Sequence, residues 1–257
     1  MTISERSELI SVILPVFNGE GTIEASAKSV LDQTYRNIEL IITDDASDDK
    51  TAEILRRLAG QDSRIKIITN STNIGRLRSR LKAVDSAGGE WIAFIDADDL
   101  WYYEKLEKQL ALRDSSGCDL IYTASAFIDE DGKKYDWIMH VPDKVGYRKL
   151  LKQNLISNSS VLLRKKDYLK YSPTEENDMH EDFACWLGML KDGLSACGID
   201  EPLITYRVSK RSATGNKLKA SSLNLNTYRY LGLNFFERYF YQACYAVNGL
   251  KKHRHFS

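Results

Sequence analysis

No run of about 18 apolar residues, the length that a membrane-spanning helix needs, occurs in this sequence of 257 residues. The first apolar run, residues 10–17, is interrupted by Ser11 and Pro15 and is too short for a secretory signal core followed by a cleavage site. We therefore expect no transmembrane helix and no signal peptide, and we expect the protein to stay in the cytoplasm.

The sequence also lacks an excess of either charge and lacks paired cysteine motifs. Lys and Arg number 36 and Asp and Glu number 36, so the formal net charge is zero. No global basic field is available to attract nucleic acid, and no nucleic-acid partner is expected. None of the four cysteines lies in a C-x-x-C pair or near a histidine at ligand spacing, which argues against a structural zinc site. Cysteines scattered in this way fit a reducing compartment.

The first 125 residues alternate apolar strands with amphipathic helices. The strands are continuous apolar runs, a pattern typical of parallel strands that are covered on both faces. This alternation predicts an α/β fold with helices on both faces of a parallel sheet. The predicted strands span residues 11–17, 38–43, 65–69, 91–95 and 119–125, and the predicted helices begin near residues 23, 51, 76 and 102.

The second half of the sequence is less regular. It predicts a hairpin over 128–139, helices over 147–153 and 181–192, and strands over 159–164 and 203–206. From about residue 220 the pattern predicts a long helical region that runs to the C-terminus.

Three predicted strands end on polar or acidic residues: Asn18, Asp45 and the segment Asp-Ala-Asp-Asp at 96–99, here called the acidic turn. Because ligands bind beyond the carboxyl ends of parallel strands, we expect these side chains to converge at one edge of the sheet. Three carboxylates within four residues repel one another, and a divalent cation shared with substrate phosphates would resolve that conflict. The alternative is a solvated loop with helix-capping acids.

Two further acids and a basic helix are candidate site residues. Asp45 is favoured as an acceptor for a base or a ribose, although acids that follow it also suit a helix cap. Asp182 lies in the first turn of a predicted helix, where an acid is either a dipole partner or a general base that points into a cleft. An arginine near residue 76 could pair with a diphosphate, but for Arg76 and Arg78 a solvated helix face is favoured.

The C-terminal segment combines aromatic residues, concentrated over 228–247, with the basic sequence Lys-Lys-His-Arg-His at 251–255. This composition resembles an interfacial membrane anchor. The alternative is a helix that packs on its own domain or on a second copy in a homodimer. The sequence leaves both interpretations open.

Several segments match one known family: SVILPVFN at 11–18, SVLDQTY at 29–35, ELIITDDAS at 39–47, GEWIAFIDADDLW at 89–101, EDF with Trp186, and EPL at 201–203 followed by Tyr206 and Arg207. Through them the sequence resembles the family 2 inverting glycosyltransferases with the GT-A fold, and most of all the bacterial enzymes of capsule, teichuronic acid and other surface-polysaccharide assembly. The resemblance covers about residues 9–210. It implies a Rossmann-like, mixed and mainly parallel sheet in one domain over 1–215, with a donor half of about 1–125, an acceptor half of about 126–215, and a helical extension over 216–257.

The resemblance also implies roles for single residues. Asp45 would read the base edge of the nucleoside, and Arg80 would lie near the donor. Leu81 stands where the family often has Asn, a departure that bears on contacts with the donor sugar. The remaining implied roles are nucleoside contacts for Pro15 and Phe17, a ribose or sugar contact for Asp96, Mg²⁺ or Mn²⁺ binding for Asp98, and the catalytic base for Asp182.

The implied activity is inverting, metal-dependent transfer of a single sugar from a nucleotide-diphosphate sugar, UDP by family default, to a saccharide acceptor. A lipid-linked acceptor fits surface-polysaccharide biosynthesis and work at the inner face of the cell membrane. The Q-x-x-R-W motif of processive members is absent, which predicts one sugar per acceptor visit.

Two alternative functions remain: a sugar-phosphate nucleotidyltransferase and a non-catalytic binding subunit. A sugar-phosphate nucleotidyltransferase usually has a Gly-rich, Arg-containing loop after its first strand, whereas the segment FNGEG at 17–21 has no basic residue. A non-catalytic, nucleotide-sugar-binding subunit of an assembly complex is disfavoured by the acidic turn together with Glu181 and Asp182.

Overall fold

One mixed β-sheet runs through the described part of the chain, which comprises residues 8–175, 178–208 and 217–253 of a computed structural model. Its strands are β1 (Ile10–Val16), β2 (Ile38–Asp44), β3 (Ile65–Thr69), β4 (Trp91–Phe94), β5 (Leu100–Trp101), β6 (Leu120–Ile128), β7 (Lys134–Met139), β8 (Lys144–Val145), β9 (Leu162–Arg164) and β10 (Ala196–Arg207). Their order in the sheet is β3-β2-β1-β4-β9-β6-β10-β5, and in addition β7 pairs with β6 and β8 pairs with β10.

Helices cover the sheet and extend beyond it at the C-terminal end. A short 3-10 helix, Asn158–Ser160, precedes β9. The α-helices are α1 (Ile23–Leu31), α2 (Thr51–Gln61), α3 (Arg76–Ser86), α4 (Lys105–Ser116), α5 (Tyr147–Leu150), α6 (Lys165–Tyr171), α7 (Glu181–Lys191), α8 (Lys217–Tyr230) and α9 (Phe235–His253).

The strands that carry the predicted site residues are parallel neighbours. β1 pairs in parallel with β2 on one side and with β4 on the other, so Val12 lies between Leu40 and Ala93. Strand β9 then runs antiparallel between β4 and β6, and β10 continues parallel to β6. The sheet is therefore mixed but mainly parallel, as the resemblance implied.

Both faces of the central strands are buried, which explains their continuous apolar sequences. In β1, Val12 and Leu14 pack into one apolar cluster with residues of α1 and α2, whereas Ile13 points to the opposite face. That second cluster includes Phe94, Phe183 and residues of α8. Successive side chains of a strand alternate between faces, so a strand covered on both sides needs an apolar residue at nearly every position.

The structure differs from the sequence-based expectation at several elements. Leu100 and Trp101 form strand β5 rather than the start of a helix, because Trp101 pairs with Ile204 of β10 and its indole N–H donates to the Ser159 carbonyl. Ser159 lies in the 3-10 helix, not in a strand, and α6 was not predicted. The C-terminal region is two helices, and Gly232 between them has a φ of 76°, a left-handed conformation that glycine adopts easily.

No helix within the described ranges is long and apolar enough to cross a bilayer. The predicted domain boundary at 215/216 and the last basic residues of the predicted anchor, Arg254 and His255, lie outside the described residues.

Candidate functional site

Asp45 lies directly after β2 and holds the loop that precedes α3. Its Oδ1 accepts hydrogen bonds from the Asn70 amide (2.8 Å) and the Ile74 N–H (2.9 Å), and its Oδ2 accepts one from the Gly75 N–H (2.9 Å). The side chain is almost completely buried. The carboxylate therefore fixes the shape of this loop, and its predicted contact with a base edge stays a prediction.

A cleft of about 550 Å³ opens beside the same loop. Its lining includes Asn73 and Gly75 from the loop, Arg78 from α3, and Glu175. Arg78, for which the sequence favoured a solvated helix face, is exposed and also borders this cleft. The residues of the acidic turn are not part of this lining, so the cleft adjoins the Asp45 loop rather than the cluster of carboxylates.

The acidic turn is folded back on itself by a hydrogen bond from the Asp99 N–H to the Asp96 carbonyl (3.0 Å). Asp99 is buried, and its carboxyl accepts hydrogen bonds from Ser159 Oγ (2.5 Å) and from the Arg207 N–H (3.0 Å). Burial and the nearby carboxylates of Asp96 and Asp98 raise the pKa of Asp99 well above its usual value. Asp99 therefore anchors the turn to the 3-10 helix and to β10, and it faces the protein rather than a ligand.

Asp96 is the acid that links the turn to α3. Its Oδ1 accepts hydrogen bonds from Arg80 Nη2 and from the Asn158 amide, both at 3.2 Å, and its N–H donates to Ser159 Oγ. Arg80 is buried over the Phe94 ring. Burial alone would lower the pKa of Arg80, but neighbouring Tyr168 and Asp96 raise it, so the guanidinium keeps its charge.

Asp98 is partly exposed and has no side-chain hydrogen bond within the described part of the chain. Burial and the charge of Asp96 raise its pKa, whereas Arg207 and Arg76 act in the opposite direction. The Asp98 carbonyl accepts a hydrogen bond from Arg207 Nε (3.1 Å), which fixes the backbone and leaves the carboxylate available. Among the described residues, no three His, Cys, Asp or Glu side chains converge as a metal site.

The two remaining donor-side residues differ in exposure. Pro15 is buried in β1, where it pairs with Thr43 of β2. Phe17 follows the end of β1 at the same sheet edge and is 51% exposed. An exposed aromatic ring at that edge is suited to stacking against a flat ligand group.

Asp182 lies in the first turn of α7, within electrostatic reach of Arg80. Its Oδ1 accepts a hydrogen bond from the Phe183 N–H (2.8 Å), a local contact that leaves most of the carboxylate unengaged by described residues. Asp182 and Glu181 both interact electrostatically with Arg80. Burial raises the pKa of Glu181, although Arg80 and Arg76 oppose that rise.

Several residues that sequence reasoning missed or set aside lie in this region. Arg76, interpreted from sequence as a solvated helix face, interacts electrostatically with Asp98 and Glu181. Asn158 and Ser159 hold Asp96 and were not singled out at all. The position of Arg76 at a helix start just beyond a parallel strand was a usable signal, whereas nothing local marks Asn158 or Ser159 as neighbours of residue 96.

The cysteines are less scattered in space than in sequence. Cys118 and Cys197 lie at the starts of neighbouring strands β6 and β10 and are joined by a disulfide, with Cα atoms 6.0 Å apart. Cys185 is free and buried. The interpretation that the cysteines fit a reducing compartment therefore gains no support from the structure.

Comparison with known proteins gives consistent matches over most of the chain. The family model described as Glycosyl transferase family 2 matches residues 11–184. The chain is 34% identical over 245 residues to the putative teichuronic acid biosynthesis glycosyltransferase TuaG of Bacillus subtilis, a match covering 95% of this chain and 97% of the relative. It is 36% identical over 247 residues to the UDP-Glc:α-D-GlcNAc-diphosphoundecaprenol β-1,3-glucosyltransferase WfgD of Escherichia coli, covering 95% of each.

Solved structures with the same fold include two proteins in complex with nucleotide sugars. Residues 1–349 of S. aureus TarS in complex with UDP-GlcNAc superpose with a TM-score of 0.71 at 18% identity, covering 92% of this chain and 71% of that one. The mannosyltransferase PcManGT of Pyrobaculum calidifontis, in complex with GDP-Man and Mn²⁺, superposes with a TM-score of 0.68 at 16% identity, covering 86% of this chain and 63% of that one. These matches confirm the expected GT-A fold.

Proposed function

Because the chain belongs to glycosyl transferase family 2 and is a glycosyltransferase, we propose that it transfers a single sugar, with inversion, from a nucleotide-diphosphate sugar to a lipid-linked saccharide. The observation that carries this proposal is the position of Arg80. It contacts Asp96 on the donor side and lies within electrostatic reach of Asp182 on the acceptor side. Arg80 is therefore near both sets of acids, which supports a role for them in one site.

In the proposed reaction Asp182 is the general base. The acceptor hydroxyl oxygen attacks the anomeric carbon on the face opposite the diphosphate, and Asp182 takes the hydroxyl proton. The new bond joins the acceptor oxygen to the anomeric carbon while the bond from that carbon to the phosphate oxygen breaks. A nucleoside diphosphate leaves with the electron pair. One displacement inverts the anomeric configuration, as in the inverting glycosidases with a sugar hydroxyl in place of water.

On the donor side, we propose that the nucleoside contacts Pro15, Phe17 and Asp45. Phe17 is exposed where it can meet a base, and the Asp45 loop borders the 550 Å³ cleft. Arg80 orients Asp96, whose second oxygen is proposed to accept a hydroxyl of the ribose or of the sugar. These roles stay predictions, and their support is the placement of the residues at one edge of the sheet.

The donor set also fits a divalent cation. The carboxylate of Asp98 is free of side-chain partners in the described chain, and the neighbouring charge of Asp96 favours a cation at Asp98. Asp98 would hold Mg²⁺ or Mn²⁺ together with donor phosphates and water, the usual arrangement for Mg²⁺ at a nucleotide. The bound cation would neutralise the charge that develops on the departing diphosphate.

The substrate classes come from the relatives. The name of WfgD specifies UDP-Glc as donor and a GlcNAc-diphosphoundecaprenol as acceptor, and that of TuaG specifies teichuronic acid biosynthesis. We extend the shared chemistry to this chain: a UDP-sugar donor and a polyprenyl-diphosphate-linked saccharide acceptor in surface-polysaccharide biosynthesis. Such an acceptor is anchored in a bilayer, so the proposed place of action is the cytoplasmic side of the cell membrane.

A donor and acceptor panel tests the proposal. Purified protein is incubated with Mn²⁺, a series of UDP- and GDP-sugars, and a GlcNAc-diphospholipid. We expect one sugar to be added from a UDP-sugar, with release of UDP. A second incubation supplies a nucleoside triphosphate and a sugar 1-phosphate. Release of diphosphate in that incubation, with no transfer from any nucleotide sugar in the first, would instead identify the rival nucleotidyltransferase.

A further inference from the structure

Helix α9 has two apolar faces. The inner face packs on the domain, where Tyr245 lies 6.0 Å from the Phe183 ring and Tyr241 lies 6.4 Å from the Tyr228 ring, measured between centroids. The outer face is exposed along the same helix, and Phe236 is 82% exposed. The outer face, as we use the term, consists of Phe236, Tyr239, Phe240, Ala243 and Val247, all classed as exposed.

A helix at the surface of a globular domain normally presents polar side chains to water. The spacing of the outer-face residues places them on one side of the helix, opposite Tyr241 and Tyr245. Three of them are large aromatic residues in two successive turns. A contiguous apolar stripe of this kind marks a surface that is covered by something else.

A positively charged segment lies against α9. The Lys152 carbonyl accepts a hydrogen bond from the Asn248 amide (3.1 Å), so the segment that follows α5 lies against α9. Arg148, Lys149 and Lys152 are exposed there, and none pairs with a carboxylate in the described ranges. Aromatic residues beside basic ones are the composition of helices that lie in a membrane interface.

The acid in the first turn of α9 does not alter this pattern. Glu237 Oε2 accepts the Asn234 N–H (3.0 Å), and the Asn234 side chain accepts the Glu237 N–H in return. Glu237 therefore caps the helix start. It lies between the inner and outer faces and is outnumbered by the basic residues around the helix.

The inner face connects α9 to the acceptor side of the site. Tyr245 interacts electrostatically with Asp182, and Phe183, the residue after Asp182, contacts the Tyr245 ring. A surface that covered the outer face would therefore lie one helix thickness, about 10 Å, from the proposed base.

We propose that the outer face of α9 docks on an anionic lipid surface, with the aromatic side chains at the level of the acyl boundary and the basic residues of the α5 segment against lipid headgroups. The docking requires only the outer face and the basic residues of the α5 segment. Its use, the presentation of a lipid-linked acceptor to Asp182, rests on the proposed function. A second copy of the chain on the same face is the competing occupant.

Flotation with vesicles tests the docking directly. The wild-type chain is compared with a Phe236→Ser, Tyr239→Ser, Phe240→Ser variant on phosphatidylcholine vesicles with and without phosphatidylglycerol. We expect the wild type to float with the anionic vesicles and the triple variant to bind them at least about tenfold more weakly. Tyr103→Ser, which removes an exposed aromatic side chain away from α9, is the control and should bind like the wild type.

The charge contribution has its own pair of variants. Arg148→Glu with Lys149→Glu should weaken binding to anionic vesicles, whereas Lys133→Glu with Lys134→Glu on the β6–β7 hairpin should not. Unchanged thermal unfolding of each variant shows that a loss of binding is not a loss of fold. Wild-type protein that stays in the soluble fraction with both vesicle types would overturn the proposal. So would a stable dimer in analytical ultracentrifugation that the triple variant converts to monomer.

An activity comparison separates this inference from the proposed function. The triple variant should lose transfer to a vesicle-embedded acceptor but keep transfer to a short-chain, water-soluble acceptor. Equal loss with both acceptors would contradict the presentation role. Failure of the wild type with either acceptor, while it still floats with anionic vesicles, would count against the proposed function and leave the docking standing.

Discussion

The proposed donor side, around Asp45 and Asp96, is held by hydrogen bonds, whereas the proposed acceptor side, around Asp182, is held by aromatic packing. Asp45 accepts three hydrogen bonds from the loop before α3, and Asp96 is fixed by Arg80, Asn158 and Ser159. Asp182 accepts one hydrogen bond, from the backbone of its own neighbour. Behind it the rings of Phe183, Tyr228 and Tyr245 form the support.

This difference suits the two proposed tasks. Polar groups that are already oriented need no rearrangement when charge develops on a leaving group, which is the advantage of a rigid donor side. A base must instead keep lone pairs free for the substrate proton, so few hydrogen bonds and a firm apolar backing are appropriate. The comparison predicts that donor-side and acceptor-side substitutions affect different kinetic constants.

The largest effect is expected at Asp182. Asp182→Asn removes the proton acceptor without changing the side-chain volume, so kcat should fall by about 10³-fold while donor binding stays near the wild-type value. Steady-state kinetics and calorimetric titration of the donor measure the two quantities. Glu181→Gln in the same turn is the matched control and should lose less than about tenfold. If the two variants exchange these results, Glu181 rather than Asp182 is the base.

Asp98 should show the next largest effect. Asp98→Asn should lower kcat by about 100-fold and weaken the response to added Mn²⁺, because the carboxylate is proposed to hold the cation at the diphosphate. The wild type in EDTA should show a similar loss that Mn²⁺ or Mg²⁺ restores. Asp85→Asn, an exposed acid on α3, is the control. Full activity of the wild type in EDTA would contradict the proposed cation site at Asp98.

Asp45 should act on binding rather than on chemistry. Asp45→Asn removes one of the acceptors that hold Asn70, Ile74 and Gly75, so the loop beside the cleft loosens. We expect the KM for the donor to rise by about tenfold with kcat within about threefold of the wild type. A fall in kcat with unchanged KM would show that Asp45 acts in the transition state. It would contradict the expectation that Asp45 affects donor binding and Asp182 affects kcat.

The smallest expected effect is on stability, in the hydrogen-bonded support of the donor half. Glu39 is buried and accepts hydrogen bonds from Ser11 Oγ (2.5 Å) and the Gly88 N–H (2.6 Å), with Lys66 Nζ at 2.6 Å. Burial by itself raises the pKa of Glu39, but these partners outweigh it and hold the pKa below the usual value. The ionised form therefore stabilises the folded state above the ordinary carboxylate pKa, and that contribution is lost as the pH falls through the lowered value.

Glu39→Gln should accordingly lower the free energy of unfolding by about 1 kcal/mol at pH 7, and the difference should shrink as the pH falls below about 4. Urea denaturation at a series of pH values measures it. Glu53→Gln, an exposed acid on α2, should change little at any pH. A destabilisation by Glu39→Gln that is constant with pH would mean that shape, not charge, accounts for the contribution of Glu39.

The sequence predicted the donor half better than the acceptor half, for a physical reason. Strands β1, β2 and β4 are buried on both faces, so their apolar runs stand out against the intervening helices. The edge strand β3 is only partly buried, but it too was predicted with its observed bounds. Parallel neighbours then bring Asp45 and Asp96 to one edge through topology alone. In the acceptor half, β5 has two residues and β9 has three, too few for any periodicity to show.

Other features depend on contacts that are remote in sequence. Asn158 and Ser159 hold Asp96 from more than 60 positions away, and no local pattern indicates that pairing. The break between α8 and α9 rests on one glycine within an otherwise helical pattern, and glycine in a helix is tolerated often enough that it is a weak signal. The residue roles themselves stay predictions that the experiments above test.

The anomeric configuration of the product tests the central claim most directly. The new linkage can be assigned by NMR from the proton coupling at the anomeric carbon and compared with the configuration of the nucleotide-sugar donor. A single displacement with Asp182 as base predicts that the configuration is inverted. A product with the configuration of the donor would contradict the account, because it requires a second displacement or an attack on the same face as the leaving diphosphate.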